Sequence, residues 1–218
     1  MEIQTLKYLV LLPAVILYLR LPAARPPWSW WTGGLLLAGM AVEGLGFWLA
    51  SQGWSNLLYF NGYMVLEFAL ILGVQNSMTA ARKGRVYRVS VAATIFLAAL
   101  LQEGLGTDLR SGFLTRTLVV GGLLLAVSGV DVLFRMARRS DSPLAGRADF
   151  WMLVSVVTYF LCFIPTMGLY HYVGEKDIVL AEAIYGINDY LFILRYGLLA
   201  YSLHLLGRNL KRHGRDLQ

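Results

Sequence analysis

Glu43, Asn61, Glu67, Asn188, Asp189 and Arg195 are ionisable or amide side chains set inside long apolar runs of a 218-residue chain. Such groups are costly in an apolar medium, so each is a candidate for a bundle interior, a ligand or a substrate path. Asn188 and Arg195 are seven residues apart and share one helical face. Asn61 and Glu67 are six apart and fall on roughly the same side of theirs. Counted from the outer ends of their runs, Asn61 lies ~8 Å deep, Glu43 ~13 Å, Glu67 ~17 Å, Asn188 and Asp189 ~12–14 Å and Arg195 ~22 Å. The spacing therefore predicts convergence of these residues in the outer half of a helical bundle. Two readings stand: a ligand or substrate site, or interhelical hydrogen bonds and one Glu67–Arg195 pair that hold the helices together. The pair is the contact on which the site reading depends, because a buried guanidinium needs a carboxylate from an adjacent helix.

Other chemistries lack their residues. Lys7, Lys83, Lys176 and Lys211 lie at run ends or in loops, which disfavours a retinal Schiff base deep in a span. His171, His204 and His213 sit near surfaces or in the tail, so no facing pair for a transmembrane haem is expected. No His and carboxylate cluster for a metal, no Gly-x-Ser-x-Gly and no phosphate loop occurs. Cys162 is the only cysteine, which excludes an intrachain disulfide, and inside an apolar run it reads as a small packing residue. No cofactor, metal or catalytic residue is expected. Asp131 and Arg135, four apart, read as a local helix pair.

The elements that position the polar residues follow from composition. The chain is 57% hydrophobic and 15% charged, against about a quarter charged in soluble domains. Seven apolar runs are read as transmembrane helices: Ile3 to Leu21, Trp30 to Ser51, Asn56 to Gln75, Tyr87 to Leu101, Gly112 to Phe134, Phe150 to Tyr172 and Leu180 to Leu206. The first is kept as a span because Leu-Pro-Ala-Ala-Arg is a poor signal-peptide cleavage site. The expected fold is an all-α integral membrane protein, a seven-helix domain over 1–206 with a basic cytoplasmic tail over 207–218. Trp28, Trp30, Trp31, Trp54 and Trp151 fall at run ends, where aromatic anchors sit at the interface. Basic residues gather in alternate connections and in the tail, while the opposite loops hold two between them. Basic loops stay inside, which predicts an outer N-terminus and a cytoplasmic C-terminus in the plasma (inner) membrane. The net charge of +6 is accounted for by these loops, so no nucleic-acid partner is implied.

The stretch from Val42-Glu43 through Trp54-Ser55-Asn56-Leu57 to Tyr63 and Glu67 resembles the second and third spans of a functionally uncharacterised group of small seven-helix membrane proteins of Bacteroidetes type. In that group an acidic residue, a Gly-x-Asn-Asn turn and a following Tyr and Glu recur. Thr115-Arg116-Thr117-Leu118, Phe150-Trp151 through Thr158-Tyr159-Phe160, and the Asn188 region are similar as well. Asn61 and Tyr185 stand where histidine is expected, so a histidine-dependent role does not carry over. The resemblance implies a tilt toward sensing, since similar segments can precede signalling kinase modules.

Three functions compete. The first is a non-catalytic sensory or receptor-like module that binds a small or lipid ligand in the outer half and signals through a cytoplasmic partner. The second is a small-solute transporter with a three-plus-one-plus-three helix repeat, suggested by Leu-Leu-Tyr-Phe-Asn-Gly-Tyr and Ala-Ile-Tyr-Gly-Ile-Asn-Asp-Tyr in comparable hairpins. The third is an intramembrane lipid hydrolase using Glu67 with Glu43 or Asp189 as an acid–base pair.

Overall fold

The computed structural model describes residues 3–79, 82–109, 112–140, 143–174 and 176–215. Arg110, Ser111 and the last three residues of the basic tail lie outside them, as do the side chains of Lys7, Arg82, Lys83, Arg85, His171, His213 and Arg215. Among the described residues seven α-helices follow in chain order: α1 Ile3–Leu19, α2 Pro27–Ser51, α3 Leu57–Ser77, α4 Arg82–Gly104, α5 Thr115–Arg139, α6 Ala148–Gly174 and α7 Ile178–Arg215. One 3-10 turn, Leu144–Gly146, precedes α6, and no strand occurs among the described residues. The six helices α2 to α7 are long and apolar enough to cross a membrane. The remaining helix, α1, has 17 residues with Pro13 inside it. At ~1.5 Å per residue it measures ~26 Å, the short end of the spanning range.

The helices outrun the apolar segments that mark them. In α4 the helix begins at Arg82, five residues before the apolar run, so Arg88 stands on its second turn. Arg135, Arg138 and Arg139 belong to the last turns of α5. Farther along, α7 continues nine residues past Leu206, so most of the expected tail is helical. The reason is propensity: Arg, Lys and Leu are good helix formers, and cations at a helix C-terminus complement its dipole. Hydropathy marks where lipid ends, which is not where hydrogen bonding ends.

Contacts divide the chain into two compact units, Met1–Pro27 with Gly129–Gln218, and Trp28–Ser128. In the first, α7 packs along both α6 and α1. The buried stripe of α1 is Leu11, Ala14, Val15 and Tyr18, spaced three, four and seven apart as one helical face requires. On α7 the equivalent face carries Tyr196, Leu199, Ser202, Leu203 and Leu206, all buried. The Ser202 hydroxyl donates to the Ala148 carbonyl at 2.6 Å and ties α7 to the start of α6. Asp149 in the first turn of α6 takes two hydrogen bonds from Arg147, at 2.7 and 3.1 Å. These bonds hold the Arg147 guanidinium above its usual pKa. Asp131 and Arg135 form the expected pair, with Nε 3.0 Å from both carboxylate oxygens.

Helix α2, which belongs to the second unit from Trp28 onward, begins with Pro27, whose missing N–H costs nothing at a first helical position. It ends in a paired closure: the Gly53 N–H bonds the Ala50 carbonyl and the Trp54 N–H bonds that of Leu49. Gly53 has φ +71°, the conformation that this closure requires. The Trp54 ring packs edge-on against Trp48, 6.2 Å between centres. Helices α2 and α3 approach closely at Gly34, Gly46 and Gly73, which face Leu70, Phe60 and Trp31.

Two side chains depart from expectation. Trp28, expected as an exposed anchor at a run end, is buried against protein. Cys162 is exposed rather than packed inside the bundle. Both stand in apolar surroundings, which hydropathy alone cannot divide into lipid-facing and protein-facing sides.

Candidate functional site

The first unit holds Asn188, Asp189 and Arg195 on α7. Arg195 is 3% exposed. Its guanidinium carbon lies 4.6 Å from the ring centre of Tyr159, 5.5 Å from that of Tyr196 and 5.8 Å from that of Phe160. A cation held over aromatic faces gains from the ring quadrupole, and the gain grows where water is absent. The same Tyr159 donates its hydroxyl to Asn188 Oδ1 at 3.4 Å. Asn188 and Arg195 thus share a face, as their spacing requires, and both meet one phenol on α6. Tyr159 is itself held between Phe160, edge-on at 5.1 Å, and Phe163, stacked at 5.4 Å. Asp189, one residue on, is also buried, at 9% exposure. The arrangement brings a cation, an amide and a phenol together among aromatic rings.

The second unit holds Glu43, Asn61 and Glu67. Glu43 is half-buried on α2. Glu67 is buried on α3 and accepts a hydrogen bond from the Tyr63 hydroxyl at 3.4 Å, one turn before it. Asn61 is committed to the chain itself. Its Nδ2 donates to the carbonyls of Leu109 at 3.2 Å and Gly112 at 2.9 Å, and its Oδ1 accepts the Leu114 N–H at 3.1 Å. Both donor hydrogens of the amide are used, so Asn61 clamps the α4–α5 connection.

Three residues escaped the reading of the sequence. Tyr159 entered only through the resemblance, because a tyrosine in an apolar run carries no mark of its neighbours. Gln75 is 1% exposed and donates to the Leu125 carbonyl at 2.8 Å. A signal for it existed: Asn61, Phe68 and Gln75 repeat every seven residues on α3 and meet, in turn, the α4–α5 connection, the ring of Phe96 on α4 and the backbone of α5. Glu103 at the end of α4 accepts the Arg116 N–H at 3.0 Å, and the Thr117 N–H and hydroxyl at 2.7 Å each. It caps the start of α5, where negative charge meets unpaired amides and the positive end of the dipole.

Among the described residues no group of three or more His, Cys, Asp or Glu is placed to hold a metal ion. Long apolar helices with buried polar residues on their inner faces define the class: a multi-pass helical membrane protein. No protein-family model, curated protein or solved structure matches the chain.

Proposed function

We propose that the chain is a non-catalytic sensory or receptor-like protein with seven spans, its N-terminus outside and its C-terminus in the cytoplasm. It binds a small or lipid ligand against Tyr159, Asn188 and Arg195, and it signals through a cytoplasmic partner. The observation that carries this reading is the Arg195 guanidinium, 3% exposed and within 6 Å of three aromatic ring centres, beside an amide that shares one of those rings. A charged group inside a membrane domain is expensive to keep, and a ligand-binding role accounts for its place among aromatic walls. The orientation rests on the distribution of Arg and Lys between alternate connections. Sensing is preferred to transport because the resemblance carried by the Val42 to Glu67 stretch tilts that way. For a ligand to switch such a protein, it must favour one arrangement of the helices over another.

Native mass spectrometry of the chain extracted from its own membranes tests the binding step, with co-purified endogenous molecules as the probe. The expected result is a discrete bound mass that Asn188→Ala and Tyr159→Phe both diminish while helical content is kept. A wild-type chain with no bound mass, or a bound mass indifferent to both substitutions, removes the proposal. Crosslinking in intact membranes tests the signalling step separately, through recovery of a cytoplasmic partner.

A further inference from the structure

The end of α7 extends past the apolar part of the helix. At ~1.5 Å per residue the helix is ~57 Å long, almost twice the ~30 Å of a hydrocarbon core, so it must project from the bilayer. The projecting part holds Arg208, Lys211 and Arg212, all exposed. Their spacing of three and four places them on one face, and the sequence continues the register with Arg215. The opposite face and both flanks are anchored. Leu203 and Leu206 are buried, Gly207 faces the Leu21 side chain, and Asn209 Nδ2 donates to the Gly146 carbonyl at 3.3 Å. The basic residues are therefore held at a set height and azimuth on an anchored helix.

A second observation gives that height. On the same side of α7, Tyr201 is exposed and meets Trp151 edge-on at 5.2 Å, and the Trp151 indole donates to the Ala145 carbonyl at 2.8 Å. Half-exposed Trp and Tyr of this kind belong at the lipid–water boundary. From Tyr201 to Arg208 the helix rises ~10 Å, and to Arg212 ~16 Å. Each Cα–Cβ bond leans toward the N-terminus of the helix, here toward the membrane, and long basic side chains extend along that direction. That lean directs the cations toward the phosphate layer rather than away from it.

We infer that the Arg208–Lys211–Arg212 face of α7 binds the headgroups of anionic phospholipids in the leaflet at which α7 emerges. Like charges three and four residues apart repel one another, and lipid phosphates neutralise all three at once. A helix dipole alone would favour cations here without selecting any lipid.

The test uses the full chain in phosphatidylcholine bilayers with spin-labelled phosphatidylglycerol or spin-labelled phosphatidylcholine as probe. The wild-type chain should prefer phosphatidylglycerol by about twofold or more at low salt. The preference should vanish near 1 M salt, where the screening length falls to about 3 Å. Arg208→Gln, Lys211→Gln and Arg212→Gln together should remove about half of it or more, and R208K with R212K should retain it. If the triple variant does not fold, R208Q and K211Q singly should each lower the preference in part. No preference in the wild-type chain, a preference unchanged by the Gln substitutions, or an equal loss from R138Q with R139Q at the end of α5 would each overturn the inference.

Discussion

The guanidinium of Arg195 on α7 lies 4.6 Å from the ring centre of Tyr159 on α6, and the hydroxyl of that ring reaches Asn188 at 3.4 Å. One phenol therefore joins two polar residues that stand two helical turns apart. Its two ends do different work and can be separated. Tyr159→Phe removes the hydroxyl alone and should cost about 1 kcal/mol of stability. Tyr159→Leu also removes the aromatic face under the cation and should cost a further ~0.5–2 kcal/mol. Unfolding of the purified chain in a fixed detergent measures both. A Leu variant as stable as the Phe variant would mean that the ring contributes nothing to holding Arg195.

Asn61 clamps the α4–α5 connection through three hydrogen bonds to backbone groups 48 to 53 residues away. Asn61→Ala leaves those backbone groups without their partner and should cost about 1–3 kcal/mol. Asn61→Asp keeps an acceptor for the Leu114 N–H but sets a carboxylate against two carbonyls, so it should be at least as damaging. Hydrogen exchange localises the effect: protection at Leu114 should fall first. Unaltered exchange there in Asn61→Ala would refute the clamp.

Glu103 meets three donors at the start of α5, one of them the hydroxyl of Thr117, which is fully buried. Glu103→Gln removes the charge but keeps one acceptor oxygen, with an expected cost of about 1 kcal/mol. Glu103→Ala abandons all three donors and should cost ~2–3 kcal/mol. The ranking is what matters. Equal melting of the two variants would show that the cap does not bear on stability.

Gly121 on α5 is the point where a side chain has no room. A Cβ there would stand 2.8 Å from the ring of Phe96, which is stacked on Phe68 with 3.9 Å between centres. Gly121→Ala should therefore push Phe96 from its partner and cost about 1–3 kcal/mol. Adding Phe96→Leu should recover part of the loss, because the smaller side chain frees the space. Wild-type stability in Gly121→Ala alone would contradict the packing described.

Much of the architecture was legible in the chain before folding was considered. Runs of apolar residues longer than a bilayer is thick leave only helices as a solution, so the class follows from composition and length. Local spacing was equally readable: Asp131 meets Arg135 across one turn, and Asn188 shares a face with Arg195. These relations depend on the geometry of one helix, which sequence separation specifies completely. Relations between helices do not. Asn61 read as a residue of the polar cluster, yet its amide is spent on the α4–α5 connection, because nothing in the spacing of α3 says which segment will cross its face. Tyr159 became a neighbour of Arg195 only when α6 and α7 packed together. Trp28 went inside and Cys162 outside against the same hydropathic background. The physical reason is common to all of these: lipid is as apolar as a protein core, so burial against protein and exposure to lipid carry nearly the same hydropathy, and only the packing of one helix on the next decides between them.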